Sequence, residues 1–278
     1  MNWLDRQSFL GASSTTELAS ARIGLVGLGG GNSHVVQQLA HLGIGHFVLI
    51  DDDRITITNL NRLIGGTWWS VIWRRAKIAL MKRMILAINP HAKIVVRRTQ
   101  WQLAAEDLKD CDIVVGGLDS VRAKDELDAF CRNALIPYID QGMDVHRLGE
   151  GQGFLVAGQV MLSMPGGPCL RCMGIVTDDA LAAEAKKYGA AGGRPQVVWP
   201  NGVLASTAVG LAVQLLTPWC LSPRTGAYLV YDGNLGVMSE GQRFRRWHGT
   251  CDHYPDSTSG DPGFDIREFI SATSRTLL

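Results

Sequence analysis

The sequence predicts an α/β fold: a doubly wound, mostly parallel sheet extended by antiparallel strands in the C-terminal half. Three observations carry the prediction. Through the first 150 residues, short apolar runs that stop at turn residues alternate with segments of helical apolar spacing. The first run ends in the glycine turn GLGGGN and the second in the acid cluster Asp51–Asp53. From about residue 151 the pattern changes to strand-like runs around one apolar helix.

The first twenty residues are amphipathic and helical. ARIGLVGL is a buried strand that stops at glycines. The next helix, SHVVQQLAHLGI, carries Val35, Val36, Leu39 and Leu42 at helical spacing and ends at Gly43. HFVLID is a second strand. VIWRRAKIALMKRMILAINP is expected as one helix closed by Asn89 and Pro90. AKIVVRRTQ is a strand and AAEDLKD a short helix. CDIVVGGLD is a buried strand with its acid at the carboxyl end, VRAKDELDAFCRNAL a helix, and IPYIDQGM another strand.

GQGFLVAGQVMLSMPG reads as the strands of a hairpin. Residues 174–200 read as a polar, mobile crossover, VLASTAVGLAVQLL as a buried helix, and AYLVYDGN and VMSEGQRFRRW as strands. Sheets of this kind bind ligands beyond the carboxyl ends of their strands. The glycine turn, Asp51 and Asp119 all fall there.

Composition narrows the function classes. The chain has 278 residues, 46% hydrophobic and 19% charged, with a formal net charge of +1. That balance implies no large electrostatic pull toward nucleic acid or membrane, and neither is expected as a partner. MNWLDRQSFL does not read as a signal peptide, and no apolar stretch reaches the ~20 residues of a membrane span. Six cysteines in a leaderless chain are expected as thiols or metal ligands, and the expected location is cytoplasmic.

Gly27, Gly29 and Gly30 let the backbone approach phosphates at a helix N-terminus. Asn32 stands where the usual third glycine would be, which alters the close packing expected there. Asp51 can accept from both ribose hydroxyls, with Asp52 and Asp53 beside it. A plain turn and a solvated acid cluster are the bland alternatives. Asn59, Asn61, Arg62 and Lys77 follow, and Arg with Lys suits a triphosphate whose pyrophosphate leaves. For Lys77 the bland alternative is a solvated helix face. Asp119 is placed to hold Mg2+.

The run VGLGGGNSH, LIDDD, NLNRL, Lys77, INPHA and DIVVGGLDS resembles the ubiquitin-activating-enzyme superfamily. It is similar to the bacterial adenylyltransferases of molybdopterin and thiamine synthesis, over roughly residues 1–240. The resemblance implies a Rossmann-like adenylation domain over residues 1–278. Residues 1–150 would be its nucleotide half, 151–255 its carrier-binding half with the crossover at 174–200, and 256–278 a tail. It implies that Asp51 binds the ribose, Asp53 lies with it in the nucleotide site, Asn59, Arg62 and Lys77 meet the phosphates and the metal, and Asp119 coordinates Mg2+. It also implies that Arg6 of DRQSFLG reaches into a partner protomer's ATP site, hence a homodimer. The implied reaction joins the C-terminal carboxylate of a ubiquitin-like or sulfur-carrier protein, ending in Gly, to AMP as an acyl-adenylate. A conjugating enzyme is a further partner of some relatives.

Cys169-Leu-Arg-Cys172 is half of a tetrahedral Zn2+ site. The family's second C-x-x-C is missing, and Cys251, between His248 and His253, is the candidate completion. A metal-free thiol pair is the alternative, and Cys172 and Cys251 compete as thioester candidates because QVVWPNG lacks a cysteine. Cys111 and Cys131 read as core. Two readings from other classes stay open: a nucleotide-binding scaffold without chemistry, and an NAD-dependent oxidoreductase. The latter leaves Arg62 and Lys77 idle.

Overall fold

A computed structural model describes residues 3–186, 195–220, 226–249 and 251–254. One eight-stranded sheet runs in the order β3-β2-β1-β4-β5-β6-β7-β8. Its strands are β1 Arg22–Val26, β2 His46–Ile50, β3 Lys93–Arg97, β4 Ile113–Gly116, β5 Tyr138–Arg147, β6 Phe154–Ser163, β7 Ala227–Asp232 and β8 Val237–Glu240. Pairing is parallel from β3 to β5 and antiparallel from β5 to β8. This is the predicted fold class. The helices are α1 Ser14–Ser20, α2 Gly30–His41, α3 Trp68–Ile72, α4 Lys77–Ile88, α5 Val121–Asn133, α6 Leu170–Met173, α7 Asp178–Lys186, α8 Val198–Leu216 and α9 Gln242–Arg245.

Alternation along the strands builds two cores. Ile23, Leu25 and Leu49 face Val36, Leu39, Met81 and Leu211 on one side. Val48, Ile50 and Val114 face Leu108, Leu127 and Leu170 on the other. Each such fully buried side chain contributes roughly 1.5–3 kcal/mol. Helix α8 has 19 residues and is apolar enough by length and composition to cross a membrane, yet half of it is buried within the fold. It packs on α2, β5 and β6.

Several element boundaries differ from expectation. The helix at Ser33–Ile44 begins earlier, at Gly30, so the glycine turn supplies its first residues. The single helix expected over Val71–Pro90 is two helices, with Arg74 at φ +44° between them. Apolar spacing gives no hint of that break. Long-range backbone bonds impose it: Ile55 N donates to Arg75 O and Lys77 N to Asp53 O. GQGFLVAGQVMLSMPG supplies one strand, β6, whose hairpin partner is β5. The strand VMSE stops at Glu240, and the arginines beyond it form helix α9. The crossover contains helix α7, while residues 187–194 and the tail 256–278 lie outside the described residues.

Candidate active site

A cleft of about 830 Å³ opens at the carboxyl ends of the parallel strands and continues over β5 and β6. It is lined by Gly27, Gly29, Gly30, Asp51, Asp53, Asn59, Arg62, Lys77 and Asp119. Residues 92 positions apart in sequence thus line one cleft. The exception is Arg6, which is exposed on a 3-10 turn (Asp5–Leu10) and is not among the lining residues.

The turn needs its first glycine. Gly27 has φ +77°, and a Cβ there would lie 2.7 Å from Gly117 O. A side chain at Gly27 would push the ends of β1 and β4 apart, whereas one at Gly29 would meet nothing within 4 Å. The third-glycine position works differently from the usual pattern. Buried Asn32 donates through Nδ2 to the carbonyls of Val26, Gly27 and Val115, tying helix α2 to both strand ends.

Asp51 closes the turn. Its Oδ2 accepts from Leu28 N at 2.6 Å and its Oδ1 from Asp53 N at 2.8 Å. Burial raises its pKa, against the lowering effect of Lys77 and of those two N–H groups. Lys77 is the first residue of α4, and not an interior residue of the longer helix expected from Val71. Its Nζ lies 2.6 Å from Asp53 Oδ2; the lysine side chain is 11% exposed and the aspartate 63%.

Arg62 stacks its stem where a Gly30 side chain would be, with Cγ 3.1 Å from that position. Its guanidinium donates to Thr58 O and to Asn61 Oδ1. Asn59 Oδ1 accepts from Thr56 N at 2.9 Å and so caps its own turn. Asn61 Nδ2 donates to Gln196 O at 2.7 Å, joining this loop to the crossover. Asp119 sits exposed at the rim, one residue before Ser120, which caps α5 by accepting from Ala123 N.

Sequence reasoning missed part of the cleft wall. Lys124, Gln141 and Asn201 also line it. Lys124 Nζ donates to both oxygens of Asp140, at 2.9 and 2.7 Å, and Tyr138 Oη donates to Asp140 at 3.1 Å. Burial raises the Asp140 carboxyl, and Lys124 opposes that rise. The available signal was Asp140 itself, an acid among the apolar residues of the strand IPYIDQGM, which needs a partner if that strand is buried.

Outside the cleft, Cys169, Cys172, Cys251 and His253 bring four ligand atoms within 4.8 Å of one another. The sulfurs of Cys172 and Cys251 are 3.6 Å apart, as are those of Cys169 and Cys172. His253 Nδ1 lies 3.6 Å from Cys169 Sγ and 3.5 Å from Cys172 Sγ. His253, not His248, is the fourth member. Burial works to raise the Cys251 thiol, but hydrogen bonds from Tyr254 N, the two other thiols and His253 N outweigh it and lower its pKa. Cys111 and Cys131 are buried in the second core.

The profile of the ThiF family matches residues 4–249. The chain is 36% identical over 127 residues to the tRNA threonylcarbamoyladenosine dehydratase of Escherichia coli, covering 45% of this chain and 47% of that protein. It therefore spans about half the length of that relative. It is 26% identical over 221 residues to the molybdopterin-synthase adenylyltransferase of Escherichia coli, covering 77% and 80% of the two chains. A crystal structure of E. coli MccB with ATP shares the fold, at TM-score 0.70 and 20% identity, over 86% of this chain and 71% of that one.

Proposed function

The chain belongs to the ThiF family, and on that premise we propose that it is an ATP-dependent adenylyltransferase. Its substrate is the C-terminal carboxylate of a ubiquitin-like or sulfur-carrier protein, and its products are an acyl-adenylate and pyrophosphate. The observation that carries this reading is the shared cleft. Arg62, Lys77 and Asp119 line it together with the glycine turn and Asp51. Cations in one cleft with a hard-oxygen ligand suit a triphosphate under attack. Hydride transfer, or nucleotide binding without chemistry, has no leaving pyrophosphate for them to offset.

The carrier carboxylate is already an anion, so positioning and charge stabilisation carry the step. In this reading Asp51 accepts from the ribose hydroxyls, and Asp53 gives up Lys77 when phosphates arrive. Asn59, Arg62 and Lys77 meet the phosphates, and Asp119 holds Mg2+. The antiparallel end of the cleft, past Gly142 and Gln159, takes the extended glycine tail. Arg6 serves the neighbouring protomer's site in a homodimer. Relatives named molybdopterin-synthase adenylyltransferase and SAMP-activating enzyme support the substrate class. A conjugating enzyme downstream and a cytoplasmic location complete the proposal.

The Cys/His cluster fits Zn2+. A Zn–S bond of about 2.3 Å gives a tetrahedral edge near 3.8 Å, and the sulfur separations of 3.6 Å sit close to it. Cys169, Cys172, Cys251 and His253 would hold the ion as a closed structural site.

One observation favours a second reading, in which the activated group is borne by RNA. Between Arg54 and Ala105 the chain carries ten Lys or Arg and no Asp or Glu, which the net charge of +1 conceals. Trp68, Trp69 and Trp73 stand exposed in the same stretch. Basic side chains with aromatic platforms hold single-stranded nucleic acid, and the dehydratase relative acts on tRNA by name. Pyrophosphate exchange decides between the readings. Exchange that depends on a small protein ending in Gly-Gly supports the first, and exchange that depends on tRNA replaces it. Thermal stabilisation by NAD with none by Mg·ATP would overturn both.

A further inference from the structure

The Cys/His cluster and the cleft are joined through two helices, α6 and α5. Cys169 caps α6 and Cys172 lies within it. Two residues of α6 bind α5 directly. Leu170 N donates to Asp128 Oδ2 at 2.8 Å. Arg171, between the two cysteines, sets Nε and Nη2 on the two oxygens of Asp125 at 2.8 and 2.6 Å. Both of those side chains are largely shielded, at 28% and 20% exposure, and a forked guanidinium–carboxylate pair is strong and directional.

The other end of the same stretch of α5 is the cleft rim, where Asp119 to Lys124 are lining residues. That end is held from a second direction. Glu184 of α7 accepts from Val121 N at 3.1 Å and Arg122 N at 3.0 Å, and Ser120 Oγ lies 3.3 Å from it. These are helix amides that nothing within the helix can satisfy. Helix α7 is in turn tied back to Arg171, whose Nη1 donates to Asp178 Oδ1 at 3.1 Å. Asp178 is 92% exposed, so that last tie is weak alone.

We propose that Arg171 is a positioning residue through which a metal ion in the Cys169/Cys172/Cys251/His253 cluster fixes the first turns of α5, and with them the Asp119–Lys124 rim of the cleft. An ion drawing four ligands together holds α6 still. The Arg171 fork passes that constraint to Asp125, and Glu184 closes the same turn from the crossover side. The inference rests on the metal reading of the cluster and not on the identity of the substrate.

The test is amide hydrogen exchange on the full chain, loaded with Zn2+ and after chelation, with no ATP or carrier present. In the wild type, removing Zn2+ should speed exchange in the segment 120–125 about tenfold, while the core strand Ile113–Gly116 stays protected. Arg171→Ala should bind Zn2+ yet show fast rim exchange with and without it, and Arg171→Lys keeps the test alive if the alanine variant does not fold. Glu184→Ala should expose the Val121 and Arg122 amides even with Zn2+ bound, and Glu184→Gln should restore part of their protection. In activity assays, Arg171→Ala should raise the KM for ATP more than it lowers kcat. Rim exchange indifferent to Zn2+ in the wild type, or an Arg171→Ala rim that still responds to it, overturns the inference. A chain that takes up no Zn2+ overturns it together with the cluster reading. Pyrophosphate exchange, measured separately, tests the proposed function.

Discussion

Replacing Lys77 by Met isolates the charge that the proposed chemistry needs. Methionine keeps most of the stem's volume, so the packing of α4 on the core survives. Without nucleotide, the loss is a single ion pair at 2.6 Å whose acid is 63% exposed. Such a pair contributes at most about 1 kcal/mol, because Asp53 returns to water. With ATP bound, a cation about 4 Å from a phosphate oxygen is worth up to about 4 kcal/mol at an effective dielectric near 20. A donor of this kind typically accounts for about 10²–10³ in rate. The expected variant therefore melts within a few degrees of the wild type and loses about a hundredfold or more in ATP–pyrophosphate exchange. It also loses most of the roughly 2.7 kcal/mol that ATP at a hundredfold excess over Kd gives the wild type. Unchanged exchange would refute the role of Lys77. An apo-protein destabilised by 3 kcal/mol or more would show instead that Lys77 is a structural residue.

Three other outcomes are expected. A protomer with intact Arg6 and a Lys77→Met site, mixed with an Arg6→Ala protomer, should regain exchange activity, whereas the two separate variants have little; failure to complement removes the role in trans. Purified chain should hold close to one Zn2+, and Cys251→Ser or His253→Ala should lower that content and the melting temperature; elemental analysis below a tenth of an equivalent in the wild type excludes a structural ion. Burial pushes Asp128 up from 3.8 to about 6, with Ser163 and Leu170 N pulling the other way. Since the folded state binds this proton more tightly, its contribution is fully present below about pH 4 and is lost as pH rises through about 6, by about 3 kcal/mol. Asp128→Asn should flatten that part of the pH–stability curve, and denaturant melts at pH 4 and pH 7 that leave the slope unchanged would count against it.

What the sequence made legible was local and periodic. Apolar runs ending at glycine or acid located β1, β2 and β4, and the rule for parallel sheets brought Gly27, Asp51 and Asp119 together without any contact being known. What it hid was set by distant backbone. The break before Lys77 carries no glycine or proline and exists because residues 53–55 bond across to 75–77. Asn32 replaced a glycine by making hydrogen bonds to three carbonyls, which no spacing rule anticipates. Nothing in the helix VRAKDELDAFCRNAL singles out Lys124, because its partner Asp140 lies on another element. The choice of His253 over His248 is a matter of chain path, since both flank Cys251 at similar distances in sequence.

Strand β5 bears on how such a chain can be taken apart. Three of its residues, Tyr138, Ile139 and Asp140, pair with β4 on one edge. All ten pair with β6 on the other. A cut near residue 150 would leave ten residues of backbone donors and acceptors open on the N-terminal fragment, a template for aggregation. It would also strip the C-terminal fragment of the strand that organises its sheet. The parts of the chain before and after residue 150 are therefore not interchangeable cassettes. Exchanging the C-terminal part between relatives calls for a graft that respects the β5–β6 register, and two fragments split there should regain activity only when they refold together.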